Sequence, residues 1–156
     1  MKILMDSDCL IKLTKGGTKE TICYHYEIFI PKMVKKEVVD VGKIKGHSDA
    51  NLVEKNIKVG MVRVAKEYSR HTKGDQSLIE IFKSGKYDII ATDDIKLTRL
   101  LKSTAIPFIF PGLLVYSLYK RRIISQGDAI SWLNKISTFI SDDEYSTVKL
   151  LLEKNR

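Results

Sequence analysis

Short apolar runs alternate along this chain with stretches in which apolar residues recur at helical spacing. Lys2-Ile3-Leu4-Met5 reads as a buried strand, and Cys9-Leu10-Ile11-Lys12-Leu13 continues it as a helix. Gly16-Gly17 breaks the pattern, and Thr18 to Tyr26 holds a short amphipathic piece with Ile22, Cys23 and Tyr26 on one side. Ile28-Phe29-Ile30 is a second strand, and Pro31 suits the turn or first helical position after it. A helix is expected from Lys32, with Met33, Val34, Val38 and Val41 as its stripe, then a polar, basic stretch with a helix from Ser48 or Asp49 to Lys58. Gly60 to Val64 predicts a third strand, Tyr87 to Ala91 a fourth and Pro107 to Phe110 a fifth. Between them, Gly74-Asp75 opens a helix carrying Leu78, Ile79 and Phe82, which Ser84-Gly85 closes. Ile95, Leu97, Leu100 and Leu101 mark the next helix, and Leu113 to Tyr119 another that stops at Lys120-Arg121-Arg122.

Strand alternating with helix predicts a parallel sheet with helices on both faces, a three-layer α/β/α arrangement of about five strands. Right-handed crossovers gather every strand-to-helix junction along one edge. That edge collects Asp6 and Asp8 after the first strand and Asp93 and Asp94 after the fourth. Asp75, at a helix start, and Glu37, inside a helix, are placed to face the same crevice. Glu37 shares its stripe with Val34, Val38 and Val41, and an acid on an apolar face is costly unless paired. Each acid alone reads as a helix cap. Acids repeated at corresponding junctions point instead to a divalent cation, because like charges do not all ionise side by side without a counter-charge.

The tail from Ile123 to Arg156 is helical. Ser125-x-x-Asp128 and Ser141-x-x-Glu144 have the spacing of capping boxes, so helices are expected over 126–140 and 142–154. Ala129, Trp132, Leu133, Ile136 and Ile140 form one apolar stripe, and Val148, Leu151 and Leu152 another. With no linker before it, this reads as a C-terminal helical appendage (about 123–156) on one domain whose core spans about 1–122. Trp132, with Tyr116 and Tyr119 on the preceding helix, offers apolar surface that suits a homodimer.

Composition narrows the partners more than the fold. A 44% hydrophobic, 29% charged chain of 156 residues is long enough for a real core and is not a disordered one. No apolar run reaches the roughly 20 residues that a membrane helix needs, and the opening runs straight into a strand, so no signal peptide or membrane anchor is expected. Cys9 and Cys23 lack metal-type spacing and read as reduced thiols of a cytoplasmic protein. The net charge of +8 favours a polyanionic partner. Lys120, Arg121 and Arg122, and the Arg63 to Lys73 loop with Arg70 and Lys73, are candidate phosphate contacts, although the first cluster also suits a helix C-terminus. His25, His47 and His71 are isolated, and Lys15-Gly16-Gly17-Thr18-Lys19 lacks the spacing of a phosphate-binding loop.

Four pieces in order resemble the PIN-domain nucleases, which include the VapC-type toxins. They are Ile3-Leu4-Met5-Asp6-Ser7-Asp8-Cys9-Leu10-Ile11, Ile30-Pro31-Lys32-Met33-Val34-Lys35-Lys36-Glu37-Val38, Gly74-Asp75, and Ile90-Ala91-Thr92-Asp93-Asp94. The resemblance implies a metal-dependent ribonuclease in which Asp6, Glu37, Asp75 and Asp94 are catalytic. Asp6, Asp75, Asp93 and Asp94 are then the candidate ligands of Mg2+ or Mn2+, with Ser7, Asp8 and Thr92 in support. It also implies an RNA substrate, a frequently dimeric assembly and, by analogy with the toxins, a small antitoxin partner. Asp6-Ser7-Asp8-Cys9-Leu10 is similar as well to the start of haloacid-dehalogenase phosphatases, with Asp6 as nucleophile and Asp8 as acid/base, but Leu10 departs from that pattern. Two further alternatives are an inactive PIN-like domain that binds RNA or protein, and an α/β domain whose acids only cap helices.

Overall fold

The computed structural model describes residues 1–67 and 74–154. Its elements are β1 (Lys2–Met5), α1 (Ser7–Lys15), α2 (Lys19–His25), β2 (Glu27–Ile30), α3 (Lys32–Lys35), a π-helical segment (Lys36–Val41), α4 (Gly42–Ile44), α5 (Ser48–Lys58) and β3 (Val62–Val64). Next come α6 (Asp75–Ser84), β4 (Ile89–Ala91), α7 (Ile95–Ser103), β5 (Phe108–Ile109), α8 (Pro111–Lys120), α9 (Gln126–Ile136) and α10 (Asp142–Lys154). The strands form one wholly parallel sheet in the order β3-β2-β1-β4-β5.

Successive side chains of a strand face opposite sides, and both sides of this sheet are covered. Ile3 and Met5 of β1 join a core with Cys9, Leu10, Leu13, Ile22, Val38, Val53, Leu114 and Leu118. Leu4, between them, joins the opposite core with Leu78, Ile79, Ile90, Leu97 and Leu101. Thus α6 and α7 cover one face and α1, α2, α5 and α8 the other, as the alternation of elements predicts. The third cluster joins α8 to α9 and α10 through Val115, Ala129, Leu133, Ile136, Val148 and Leu152. No helix among the described residues is long and apolar enough to cross a membrane.

Several boundaries differ from the sequence reading. β3 and β5 are shorter than the apolar runs that mark them, and α9 stops at Ile136 rather than Ile140. The helix expected from Lys32 widens into a π-turn at Lys36. Arg70 and Lys73 lie outside the described residues.

The sheet order sets the position of the site. From β1 the chain winds outward to β2 and β3, then returns to the other side of β1 for β4 and β5. The winding reverses between β1 and β4, and in open α/β sheets ligands bind at the carboxyl ends of the strands at such a switch point. Asp6 comes directly after β1 there, and Thr92-Asp93-Asp94 directly after β4.

Candidate functional site

The two strand ends are tied together before any ligand is considered. The Asp6 N–H donates to the Ala91 carbonyl at 3.2 Å, continuing the β1–β4 pairing by one rung. Asp6 Oδ1 accepts from the Cys9 N–H at 2.8 Å and so caps α1, while Oδ2 accepts from the hydroxyl of the fully buried Thr92. The same hydroxyl accepts from the Asp94 N–H at 3.1 Å, and Asp94 Oδ1 accepts from the Leu97 N–H at 2.8 Å, capping α7. The capping roles are therefore real for both acids. They also hold the two carboxylates at the switch point, with Thr92 as the joint between them.

Glu37 and Asp75 reach this place by backbone irregularities. A π-turn inserts an extra residue into a helical turn and is often found at functional sites. Here Val38 and Val39 both turn inward, and Glu37 is exposed on the rim. This corrects the reading of Glu37 as part of a buried stripe: Val34, Val38 and Val39 are buried, and Glu37 between them is exposed. Glu37 Oε2 accepts from the Ser7 hydroxyl at 2.6 Å. Asp75 comes after Gly74, whose φ of +67° with ψ of −140° is open to glycine and strained for other residues. One cavity of about 280 Å³ is lined by Asp6, Ser7, Asp8, Glu37, Asp75 and Asp94, together with apolar side chains such as Met33, Val34 and Leu97.

Asp93 belongs elsewhere. It sits one residue before Asp94, and its side chain lines a different hollow and forms an ion pair with Lys12 Nζ at 2.5 Å. Burial lowers the Lys12 pKa, but the hydrogen bond and charge of Asp93 outweigh this and raise it above the ordinary value. Asp93 as a ligand in the carboxylate cavity is thus corrected: its counter-charge is an ammonium from α1, reached on the other side of the junction. Burial pushes the Asp6 carboxyl up to about 6, against the opposing hydrogen bonds from Thr92 and Cys9, with Asp93 and Asp8 adding like charge. Desolvation, not the neighbouring acids, is the larger cause of that rise.

Lys120, Arg121 and Arg122 are exposed where α8 ends, and they do not line the carboxylate cavity. Arg121 lies over the Tyr26 ring at 5.1 Å, and Arg122, at φ +59°, donates its N–H to the Tyr119 carbonyl at 2.8 Å, terminating the helix. His25 packs edge-on against Tyr24 with ring centroids 5.3 Å apart.

Glu144 is a residue that the sequence reading underrated. Its N–H donates to Ser141 Oγ at 3.1 Å, as a capping box predicts, but its carboxylate does not return to Ser141. Oε1 accepts instead from the Gly112 N–H at 2.7 Å, joining α10 to the start of α8. A Cβ at Gly112 would lie 3.0 Å from Glu144 Oε1 and 3.2 Å from Val148 Cγ2, so the close approach depends on glycine. The signal was present: Glu144, Val148 and Leu152 recur every four residues, and all three are buried. Burial, with the charge of Asp93, pushes Glu144 up to about 7, although the Gly112 N–H and Lys12 oppose this.

A Glu144→Gln change tests that burial. The folded chain keeps the Glu144 proton between the ordinary value of 4.5 and about 7, so the parent loses stability as pH rises through this window. The amide oxygen still accepts from Gly112 and carries no charge. The variant should therefore melt above the parent at pH 8, by about 1–3 kcal/mol of stability, and match it near pH 4. Thermal melts at the two pH values check this.

A family model described as a PIN domain matches residues 2–154. The chain belongs to the PIN-domain family. The match includes α9 and α10, so the two last helices lie inside the family's boundaries. No curated protein and no solved structure gives a match. PIN domains are generally nucleases and typically use divalent metal ions, so membership gives this protein a nuclease-type fold with nucleic acid as the implied substrate.

The donor chemistry of this PIN domain fits a hard cation, because the cavity presents carboxylate and hydroxyl oxygens. Among the described residues no group of three or more His, Cys, Asp or Glu side chains is set to hold a metal ion. The carboxylates are spread round the cavity and turned partly toward Cys9, Thr92, Ser7 and Leu97. Mg2+ is usually held by one or two carboxylates and keeps several waters, and that is the mode this arrangement suits.

Proposed function

We propose that the protein is a ribonuclease that hydrolyses RNA phosphodiester bonds with Mg2+ or Mn2+. The observation that carries this reading is that Asp6, Glu37, Asp75 and Asp94, from four separate elements, line one cavity at the switch point of the sheet. Asp6, Asp75 and Asp94 would hold the ion, directly or through water. An ion held there would lower the pKa of a bound water and stabilise charge on the phosphate. Glu37 positions the attacking water. Its Oε2 is held by Ser7, which leaves Oε1 to take the proton. Thr92 fixes the Asp6 carboxylate, and the exposed Asp8 adds negative charge at the cavity edge. Incubating the intact chain with single-stranded RNA in Mn2+, in Mg2+ and in EDTA tests the reading. Cleavage in either ion that EDTA abolishes is expected, and intact RNA under all conditions would sink it.

Family membership favours this reading over the haloacid-dehalogenase phosphatase. Both Asp6 oxygens are already held in hydrogen bonds, which suits a fixed ligand better than a nucleophile. A phosphate monoester in the same assay should remain intact. The presence of these four acids in one cavity favours an active enzyme over an inactive binding domain.

RNA binding draws on the net charge of +8. Affinity should fall as salt rises, since Lys and Arg contacts release counterions from phosphates. If Lys120, Arg121 and Arg122 touch RNA, changing all three to Ala reduces the slope of log affinity against log salt by about 2 for single strands. Filter binding across a salt series measures this, and an unchanged slope assigns the cluster to ending α8 alone.

The same reading extends to a cytoplasmic homodimer with one cleft per subunit and a small antitoxin partner. The tail already uses much of its apolar surface internally, since Trp132 packs against the main core and the α8–α10 cluster. Dimer contacts therefore fall to what α8 and α9 leave uncovered. Light scattering on the intact chain should give twice the chain mass, and a strictly monomeric mass would remove the dimer. A small protein co-expressed from a neighbouring reading frame should abolish cleavage if it is an antitoxin.

A further inference from the structure

A second hollow, of about 410 Å³, lies beside the carboxylate cleft and plays no part in the chemistry above. Asp93 lines the hollow and Asp94 lines the cleft, so the start of α7 is the partition between them. The volume falls in the range of sites for small organic ligands. Phe110, Leu113 and Val148 give it apolar walls, and its ionisable lining residues are Asp93, Asp143 and Glu144, with no cationic side chain.

We propose that this hollow is a nucleobase subsite that takes a guanine next to the scissile phosphate. The proposal rests on the ribonuclease reading. Acidic walls repel phosphate, so a nucleotide entering here puts its base in and leaves its backbone outside. A metal ion is the poorer occupant, since Asp93 already has Lys12 at 2.5 Å and no metal-holding group of side chains is present among the described residues. Glu144 is 4% exposed and lines the hollow. Its Oε1 is held by the Gly112 N–H, while Oε2 has no hydrogen-bond partner among the described residues. The carboxylate is therefore fixed in place with acceptor capacity to spare. Guanine alone among the RNA bases presents two adjacent N–H donors, N1–H and N2–H, on its Watson–Crick edge. Adenine, cytosine and uracil each set a donor beside an acceptor, which a carboxylate pairs only once. Reading splayed bases on that edge, against an aromatic wall such as Phe110, is the usual route to sequence preference in single-stranded RNA.

Two measurements on the full chain test this. Equilibrium dialysis at pH 8 in EDTA compares guanosine with adenosine, cytidine and uridine. Guanosine should bind about tenfold or more tightly than the others, the discrimination expected of one good bidentate pair. Sequencing the ends produced from a randomised single-stranded RNA pool then gives the base preference around the cut. The parent should favour guanine at one flanking position, and the preference should fall about tenfold in Glu144→Gln and in Thr147→Tyr, where the exposed Thr147 forms part of the wall. Equal binding of all four nucleosides, or a base preference that survives both changes, overturns the subsite. Cleavage without any base preference overturns it too and leaves the ribonuclease standing. Guanosine binding with no cleavage by the parent counts against the ribonuclease and for the guanine site.

Discussion

Asp6→Asn should abolish metal-dependent RNA cleavage and, in EDTA at pH 8, melt at a higher temperature than the parent chain. The loss of activity stems from the position of Asp6 at the switch point, where it is the most buried of the acids lining the cavity and the one tied to both strand ends. An amide is a poorer ligand for a hard cation than a carboxylate. The gain in stability stems from burial. The unfolded carboxyl titrates near 3.8 and the folded one near 6, so between these values the folded chain holds a proton that the unfolded chain has lost. Stability of the metal-free parent therefore falls as pH rises from about 4 to about 6 and stays low above that. The shift corresponds to an upper value of about 3 kcal/mol, and about 1–3 kcal/mol is expected in practice. The amide removes that charge and still accepts from the Cys9 N–H, while the Thr92 hydroxyl turns to accept rather than donate. Melts of both proteins at pH 4 and pH 8 in EDTA, and at pH 8 with Mn2+, check the argument. The variant should exceed the parent only at the higher pH, and Mn2+ should raise the parent alone. Full cleavage activity in Asp6→Asn with Mn2+ would remove Asp6 from the site.

The strands and the acids at their ends were legible in the sequence because their cause is local. A buried parallel strand must be an apolar run, and an acid that ends it both caps the next helix and points into the crevice. Asp6 and Asp94 carry both signals at once. Glu37 was found for a reason that the structure does not share. Helical spacing placed it on a buried stripe, whereas the π-turn at Lys36–Val41 carries it to the rim beside Ser7. A π-turn depends on what packs around a helix, so no periodicity in Val34, Val38 and Val41 foretells it. Asp93 and Asp94 are neighbours of identical type, and only the pairing of Asp93 with Lys12, 81 positions away, separates their roles. Glu144 was hidden by a local motif that was half correct. Its N–H does complete the Ser141 cap, and the partner of its carboxylate, Gly112, is 32 residues distant.

A chain ending at Ser125 should lose its stable fold, the result expected if α9 and α10 belong to the domain core rather than forming an appendage. Without them Val115, which is fully buried, and Leu113, Tyr116 and Tyr119 of α8 lose the cluster formed with Leu133, Ile136, Val148 and Leu152. Each large apolar side chain returned to water costs about 1.5–3 kcal/mol, so the exposed face of α8 costs on the order of 5 kcal/mol. The damage reaches further than α8. A Cβ at Gly16 would lie only 2.3 Å from Ile136 Cγ2, which shows how closely the end of α1 is seated on α9. Trp132 touches the main core directly, and the Glu144 carboxylate would leave the Gly112 N–H at the head of α8 unpaired. Against a total stability of 5–15 kcal/mol for a domain, a loss of this size lowers the melting temperature by about 10–20 °C or prevents folding outright. Far-ultraviolet circular dichroism during heating compares the two chains. A truncated chain that melts within a few degrees of the intact one would make the last two helices dispensable, and the 1–122 core would then stand as a unit on its own.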